Sequence, residues 1–181
     1  LPGMIAFVVV TGLALYNWLL KRVGLAGNVL VSLIAAATFP YGAAAAGVWG
    51  RWWIPALFAV FYHLARELVK GVEDTEGDGL AGVRTMARVC GGSATCRVAA
   101  ILLGIVGITA PLPGLLGVYG VAYLIPVLAL DIFLIRLVRR LWSGLLPGDA
   151  RLSPQMLVGM LLGLTAVLLG EFLDRTQHLI P

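Results

Sequence analysis

The stretch Val98–Leu130, VAAILLGIVGITAPLPGLLGVYGVAYLIPVLAL, contains no charged residue and decides the fold class. It is too long for one membrane-spanning helix, which needs roughly 20 apolar residues. The sequence APLPG at Ala110–Gly114 divides the stretch, because proline lacks an amide proton and its ring clashes with the preceding helical turn. We therefore predict two consecutive membrane-spanning helices, one on each side of APLPG.

Four further apolar runs extend this pattern along the chain. A polar loop is predicted between the third and fourth helices, from Gly71 to about Ser93. The further runs lie at Met4–Leu20, at Val29–Val48 with an interruption at Pro40, from Trp52 and Trp53 to Lys70, and at Pro154–Leu173. Together they predict an all-α, polytopic transmembrane bundle of about six helices.

Composition supports a membrane protein. Apolar residues make up 60% of the chain, charged residues only 12%, and the mean hydropathy is +0.97. A soluble domain usually carries about 25% charged residues. The net charge of +4 does not indicate nucleic-acid binding, because the basic residues flank apolar runs and form no stripe interleaved with aromatic residues. Cys90 and Cys96 match no common metal or redox spacing, so we interpret both as ordinary thiols.

The placement of the charges predicts the orientation in the membrane. Arg51 and Arg175 are the basic residues expected outside, near an aromatic cluster of Trp49, Trp52 and Trp53. Under the positive-inside rule the three more basic connections face the cytoplasm, which puts the acidic loop inside and the C-terminus outside. These connections hold Lys21, Arg22, Lys70, Arg84, Arg88, Arg97, Arg136, Arg139, Arg140 and Arg151.

The segment RELVKGVEDTEGDGLAGVRT, Arg66–Thr85, is the most polar part of the chain. Five of the nine acidic residues lie between Glu67 and Asp78. Asp74 and Asp78 would share one face of a continuing helical turn. Mg²⁺ commonly takes one or two carboxylates, several waters and substrate phosphates. The pair is therefore a candidate Mg²⁺–diphosphate site, although a charged cytoplasmic loop without a metal has the same spacing.

Two motifs resemble those of the UbiA superfamily of intramembrane prenyltransferases. RELVKGVEDTEGD followed by GVRT is similar to the second aspartate-rich motif of that family. LYNWLLKRVGLAGN, Leu15–Asn28, is similar to its Tyr–Lys segment. The six helices correspond to the last six of the family's nine, and within the superfamily the combination is most similar to the archaeal enzymes of ether-lipid synthesis.

The resemblance implies a specific reaction. A prenyl group, expected to be geranylgeranyl, would pass from an allylic diphosphate to a lipid acceptor, expected to be geranylgeranylglyceryl phosphate. Asp74 and Asp78 would be catalytic Mg²⁺ ligands, with Glu67 as a further metal ligand and Glu73 as a supporting acid. The family pattern assigns diphosphate binding to Tyr16, Lys21, Arg66, Lys70 and Arg84.

The sequence also departs from the family pattern. Gly71 stands where the family usually has an aspartate, and no first aspartate-rich motif of the form N-D-x-x-D occurs in the chain. We expect residues 1–181 to form a single membrane-embedded domain, the C-terminal two-thirds of a prenyltransferase that lacks its first three helices. Such a chain would hold half of the metal site and be inactive alone.

Three alternatives stay open at this stage. The acceptor could be an aromatic quinone precursor, or the chain could be an inactive truncated paralogue or subunit. A CDP-alcohol phosphotransferase would need D-G-x-x-A-R and a downstream aspartate pair. Asp78–Gly79 begins such a string, but Arg84 falls one position late and no aspartate pair follows.

Several isolated residues have ordinary explanations. Asp131 is expected at the cytoplasmic boundary, paired with Arg136 or near lipid headgroups, although it could face a cavity. His63 is expected to be packed and hydrogen-bonded. Gly159 and Gly163 form a G-x-x-x-G pair, which predicts close helix packing.

Overall fold

The computed structural model describes residues 1–20, 23–80, 82–143 and 151–177, and all of their side chains except those of Glu76 and residues 173–177. Within these ranges the chain forms ten α-helices and, before the ninth, a 3₁₀ turn at Val121–Tyr123, with no strand. The helices are α1 Pro2–Trp18, α2 Gly24–Ala36, α3 Thr38–Ala46, α4 Trp53–Glu73, α5 Thr75–Leu80, α6 Met86–Cys90, α7 Gly92–Thr109, α8 Leu112–Leu115, α9 Leu124–Trp142 and α10 Leu152–Gln177.

The longer helices confirm the predicted all-α membrane bundle. Four segments of the described chain are long and apolar enough to cross a membrane: Gly24–Ala46, Gly92–Leu115, Val121–Trp142 and Leu152–Phe172. The helix α1 is apolar but shorter, and α4 carries charged residues over its last two turns. The six predicted helices correspond to α1, the α2–α3 pair, α4, α7, α9 and α10. The chain is therefore a multi-pass membrane protein.

The predicted polar loop from Gly71 to Ser93 is wrong, because most of this segment is helical. The helix α4 continues to Glu73, and α5, α6 and the start of α7 follow. The hydroxyl of Thr75 donates to the carbonyl oxygens of Gly71 at 3.0 Å and Val72 at 2.8 Å, so the first residue of α5 is bonded to the last turn of α4. A polar composition does not exclude helix, because the Glu, Arg, Ala, Leu and Met residues of this segment are all good helix formers.

The interruption in the second predicted helix lies three residues before Pro40. The helix α2 ends at Ala36, and α3 begins at Thr38. A proline inside a continuous helix would clash with the carbonyl of the fourth residue before it, which here is Ala36. The chain avoids this clash by breaking at Ala37, so that Pro40 lies in the first turn of α3.

The helix α4 lies at the centre of the bundle and packs against α2, α7 and α10. Its residues Ala65, Leu68 and Val69 are almost completely buried, as are Leu103 of α7 and Met156 of α10. On the outer helices many large apolar side chains remain exposed, as expected for a surface that faces lipid acyl chains rather than water.

The close packing predicted at Gly159 is confirmed. A Cβ atom at Gly159 would overlap the hydroxyl of Tyr62 and would lie 3.1 Å from the ring of Phe133. The space left by the missing side chain admits Tyr62, whose hydroxyl donates to the carbonyl oxygen of Met156 at 2.8 Å. At Gly163 a Cβ would be 3.9 Å from Leu130, an ordinary contact. Of the two glycines, only Gly159 is required by a neighbour.

Asp131 does not lie at the helix boundary. It is seven residues inside α9 and eleven residues before the end of that helix at Trp142, about 16 Å along the axis. Its Oδ1 atom is buried next to Gly107 of α7 and has no hydrogen-bond partner among the described residues. The expected position at the cytoplasmic end is wrong, because α9 extends further than the apolar run alone suggested.

A cluster of side-chain contacts lies at the other end of the bundle. Arg51 donates a hydrogen bond to the carbonyl oxygen of Val118, and its guanidinium lies 5.5 Å from the ring centroid of Tyr119. Nearby, the rings of Trp49 and Trp52 meet edge to face with centroids 6.1 Å apart. These contacts join the corner before α4 to the turn before α9, at the end of the bundle opposite Asp74.

Candidate active site

The acidic pair of the sequence is built by two successive helices. The helix α4 ends at Glu73, Asp74 follows, and α5 begins at Thr75. The amide of Asp74 still bonds the carbonyl oxygen of Lys70, and the amide of Asp78 bonds the carbonyl oxygen of Asp74, both at 2.9 Å. The helical register is thus kept through the junction, and the side chains of Asp74 and Asp78 lie on one face.

The charge of Asp74 acts on the carboxylate of Asp78. Partial burial raises the pKa of Asp78 above its usual value, and the neighbouring charge of Asp74 raises this pKa further. Arg88 and Lys70 act in the opposite direction. Two like charges held this close favour the binding of a cation between them. The geometry therefore gives this end of α4 the electrostatics of a cation site.

Tyr16 of α1 approaches the acidic pair from the side. It is half-buried and close enough to Glu67 and Asp78 for both charges to act on its hydroxyl. Its ring is held against α2, since a Cβ atom at Gly27 would lie 3.4 Å from it. Of the predicted diphosphate ligands, Tyr16 is thus brought to the site, whereas Lys21 lies outside the described residues.

The turn that leads into α2 contacts the second half of the acidic motif. Gly24 has a φ of +45°, and a Cβ at this position would lie 2.5 Å from the carbonyl oxygen of Arg84. This close approach brings the start of α2, which lies within the Tyr–Lys segment, onto the GVRT sequence. The side chain of Arg84 is exposed, and so is that of Lys70, whose charge reaches Asp78.

Two of the predicted site residues face α10 instead. Both oxygens of the Glu73 carboxylate bind the start of α10 at Leu152 and Ser153. Arg66 donates from Nε to the carbonyl oxygen of Ser153 at 3.2 Å and from Nη1 to Oε1 of Glu67 at 3.0 Å. Glu73 and Arg66 thus fix α10 against α4. Glu67 pairs with Arg66 and also acts electrostatically on the hydroxyl of Tyr16.

Sequence reasoning missed two residues near the pair. Arg88 was counted only as a topological charge, yet it bonds the carbonyl oxygens of Asp78 and Val83. The hydroxyl of Thr85 is buried without a hydrogen-bond partner among the described residues, beside Gly71. A Cβ at Gly71 would be 3.9 Å from that of Thr85, so the position of the family's aspartate has room for a side chain. The proximity of Arg88 and Thr85 to the acidic pair depends on the tertiary fold and could not be predicted from sequence.

A cavity of about 220 Å³ lies inside the bundle, beside the N-terminal half of α4, where its lining on this helix ends at His63. Its lining is mostly apolar and comes from α2, α3, α4, α7, α9 and α10, with Phe58 and His63 on the α4 side. His63, Glu67, Lys70 and Asp74 follow one another at spacings of four, three and four along α4, so they share a face. The axial distance from His63 to Asp74 is about 16 Å. One face of α4 thus runs from an apolar cavity to the acidic pair.

Asp74 and Asp78 suit a Mg²⁺ ion whose remaining coordination positions are filled by other ligands. Among residues whose side chains are described, no group of three histidine, cysteine or acidic side chains is gathered closely enough to hold a metal ion. Asp74 and Asp78 therefore supply two carboxylates at most. That number is common for Mg²⁺, which keeps waters and binds substrate phosphates at its other positions.

The fold and the site together define a class: a helical membrane protein with a carboxylate pair at one end of its bundle and an apolar cavity inside it. Residues 1–164 match the UbiA prenyltransferase family. The chain belongs to this family, as its two motifs indicated.

Named relatives point to one branch of the family. The digeranylgeranylglyceryl phosphate synthase of Sulfolobus acidocaldarius is 44% identical over 132 residues, which cover 71% of this chain and 48% of the relative. The synthase of the same name from Saccharolobus solfataricus is 35% identical over 171 residues, covering 93% of this chain and 60% of the relative. The chain thus spans about half to three-fifths of the length of these relatives.

A solved structure gives the same result for the fold. A structure reported for digeranylgeranylglyceryl phosphate synthase in membranes aligns with a TM-score of 0.75 at 26% identity. The alignment covers 92% of this chain and 60% of the other. The arrangement of helices described above is therefore that of a family member.

Proposed function

We propose that this chain is part of an intramembrane prenyltransferase that transfers a geranylgeranyl group from its diphosphate to a lipid acceptor, geranylgeranylglyceryl phosphate. The observation that carries the proposal is the Asp74–Asp78 pair at the end of α4, with an apolar cavity that begins at His63, about 16 Å away along the same side of this helix. An amphiphile with a diphosphate head and an isoprenoid tail has the same division of chemistry. The relatives named for this reaction support the choice of acceptor.

In the proposed reaction, the bond between the allylic carbon and the diphosphate oxygen breaks, and the diphosphate leaves with the electron pair. An oxygen of the acceptor forms the new bond to that carbon and loses its proton. Bound Mg²⁺, held by Asp74 and Asp78, would neutralise charge on the leaving diphosphate. Lys70 and Arg84 add positive charge at the same end of α4, Lys21 is proposed to do the same, and Tyr16 orients the diphosphate through its hydroxyl.

The remaining groups set the environment. Glu67 lies two turns before Asp74 and acts on Tyr16; it is retained as a proposed further metal ligand that would approach the pair only when a metal is bound. The apolar lining of the cavity is suited to the isoprenoid tail of the substrate, whose diphosphate end would lie at the acidic pair. Arg66 and Glu73 are proposed to contribute by holding α10, which supplies one wall of the cavity.

We further propose that residues 1–181 form one membrane-embedded domain with the acidic pair at the cytoplasmic surface and the C-terminal end of α10 outside. The concentration of basic residues on the side of Asp74 supports this orientation. A second acidic motif, which these residues do not contain, would complete the metal site from elsewhere in the protein.

The test is Mg²⁺-dependent geranylgeranyl transfer in membranes by the full-length protein. Asp74→Asn keeps the size of the side chain and removes its charge, so we expect a fall in rate of roughly 100-fold or more. The matched control is Glu171→Gln, which neutralises a carboxylate of α10 at the opposite end of the bundle and should leave the rate unchanged. A near-normal rate for Asp74→Asn would overturn the assignment of the metal ligand.

A further inference from the structure

The segment that carries Asp78 has little packing of its own. The helix α5 has six residues, and its only large apolar side chain, Leu80, is 96% exposed. A Cβ atom at Gly77 would meet no neighbour within 4 Å. A helix this short is unstable without outside support, because nucleation costs more than its few hydrogen bonds return. Apart from the hydrogen bond between the amide of Asp78 and the carbonyl oxygen of Asp74, α5 therefore depends on contacts from another segment to hold Asp78 in place.

Arg88 of α6 is in a position to do so. Its Nη1 atom donates to the carbonyl oxygen of Val83 at 2.6 Å and lies 3.4 Å from the carbonyl oxygen of Asp78. The side chain crosses the end of α5 at Gly79, where a Cβ would lie 4.0 Å from Nε. The amide of Val83 also bonds the carbonyl oxygen of Asp78, at 2.9 Å. One guanidinium thus ties together both ends of the turn that follows Asp78.

We propose that Arg88 is a positioning residue that fixes the backbone carbonyl groups of Asp78 and Val83 and so presents the Asp78 carboxylate to Mg²⁺ and the substrate diphosphate. This inference rests on the proposed function. Arg88 acts through the backbone of the turn and does not itself contact the substrate. The cationic end of its side chain also suits the C-terminal end of α5, where the helix carbonyls are exposed.

The charge of Arg88 allows two possible roles to be distinguished by the direction of the change in Mg²⁺ affinity. The guanidinium is close enough to act on the Asp78 carboxylate electrostatically. If this charge were its main effect, removing it would strengthen the binding of a cation at Asp78. If Arg88 instead positions Asp78, removing it weakens Mg²⁺ binding, as the loss of a supporting contact around a metal ligand usually does. The two roles predict opposite shifts in the same measurement.

The experiment is a Mg²⁺ titration of the full-length protein, followed by the rise in its melting temperature, Tm. Mg²⁺ that binds the native state raises Tm by an amount that grows as ln(1 + c/Kd), where c is the Mg²⁺ concentration, and no turnover is required. Fitting this curve gives the apparent Kd, which is the half-saturating Mg²⁺ concentration, or midpoint. We expect Arg88→Met to raise the half-saturating Mg²⁺ concentration about tenfold. Arg88→Lys, which keeps the charge but offers a single ammonium group, should fall between Arg88→Met and the unsubstituted protein. Arg97→Met, which removes an exposed charge from α7, is the matched control and should not shift the midpoint.

Each outcome is informative. An unchanged or lower midpoint in Arg88→Met, with a midpoint shift in Asp78→Asn, would overturn the role of Arg88 and leave the metal site standing. A Mg²⁺ response that survives in Asp78→Asn would instead overturn the proposed metal site. If Arg88→Met does not fold, the midpoint of Arg88→Lys decides: a raised midpoint supports positioning, and an unshifted one contradicts it.

Discussion

The carboxylate of Glu73 caps the helix that begins 79 residues later, because it accepts hydrogen bonds from the amide of Ser153 at 2.9 Å and from the Ser153 hydroxyl. It also accepts a bond from the amide of Leu152. The first amides of a helix have no partner inside that helix. Glu73 of α4 therefore accepts the hydrogen bonds that are usually accepted by a capping residue directly before the helix.

We expect Glu73→Ala to destabilise the protein by about 1–2 kcal/mol, the usual cost of losing a helix cap. Glu73→Gln should cost less, because the amide oxygen still accepts a hydrogen bond. Unfolding in detergent measures both. If Glu73 is a cap and not a metal ligand, the half-saturating Mg²⁺ concentration of Glu73→Gln stays unchanged. A raised midpoint with normal stability would return Glu73 to the metal site.

The contact between Gly159 and Tyr62 gives a second prediction, which concerns stability. Gly159→Ala would place a methyl group against the Tyr62 hydroxyl and 3.1 Å from Phe133, so α10 must move away from α4. We expect a loss of about 1–3 kcal/mol, typical of overpacking in a dense core. Gly163→Ala, on the same helix with 3.9 Å of space, is the control and should cost little. Equal losses in the two variants, measured by unfolding in detergent, would contradict the contact.

A third prediction concerns pH. The pKa of Asp78 is raised from its ordinary value of 3.8 by burial and then by Asp74. An acid with a raised pKa in the folded state favours folding while it is protonated. Its stabilising contribution is therefore fully present below the unfolded-state pKa and is lost as pH rises through the folded-state pKa. Without Mg²⁺, stability should fall with rising pH across this window.

The pH prediction has a built-in control. Asp78→Asn cannot titrate at this position, so its stability should lose this component of the pH dependence. Asp74→Asn removes the like charge, which should move the transition of Asp78 to lower pH. Melting temperatures of Mg²⁺-free protein across the acidic range measure both effects. A transition that persists unchanged in Asp78→Asn would assign the titration to another group.

The fold class and the acidic pair could be predicted from sequence because each depends on local pattern. The uncharged stretch Val98–Leu130 required two spans, and APLPG placed their division correctly. Asp74 and Asp78 share a face because helical register continues across their junction, as their spacing suggested. In contrast, polarity alone could not distinguish an irregular loop from α5 and α6, since the same residues are compatible with either.

The roles of individual charged residues could not be predicted, because they depend on contacts distant in sequence. Glu73 lies beside Asp74 in the motif, yet its partners come from α10. Arg66 also binds Ser153, 87 residues away. In sequence Arg88 resembles the other basic residues between the apolar runs, and only its hydrogen bond from Nη1 to the carbonyl oxygen of Val83 distinguishes it. Spacing identifies residues that share a face, but it does not identify which neighbour each side chain reaches.

The most direct test of the central claim is Mg²⁺-dependent binding of an unreactive thio analogue of geranylgeranyl diphosphate to the full-length protein. Turnover does not enter this measurement, so it tests the site itself. The account predicts tight binding only with Mg²⁺, and a loss of affinity of about tenfold or more in both Asp74→Asn and Asp78→Asn. Binding that is independent of Mg²⁺, or that is unaltered in both variants, would contradict the claim that this pair holds the metal against the diphosphate.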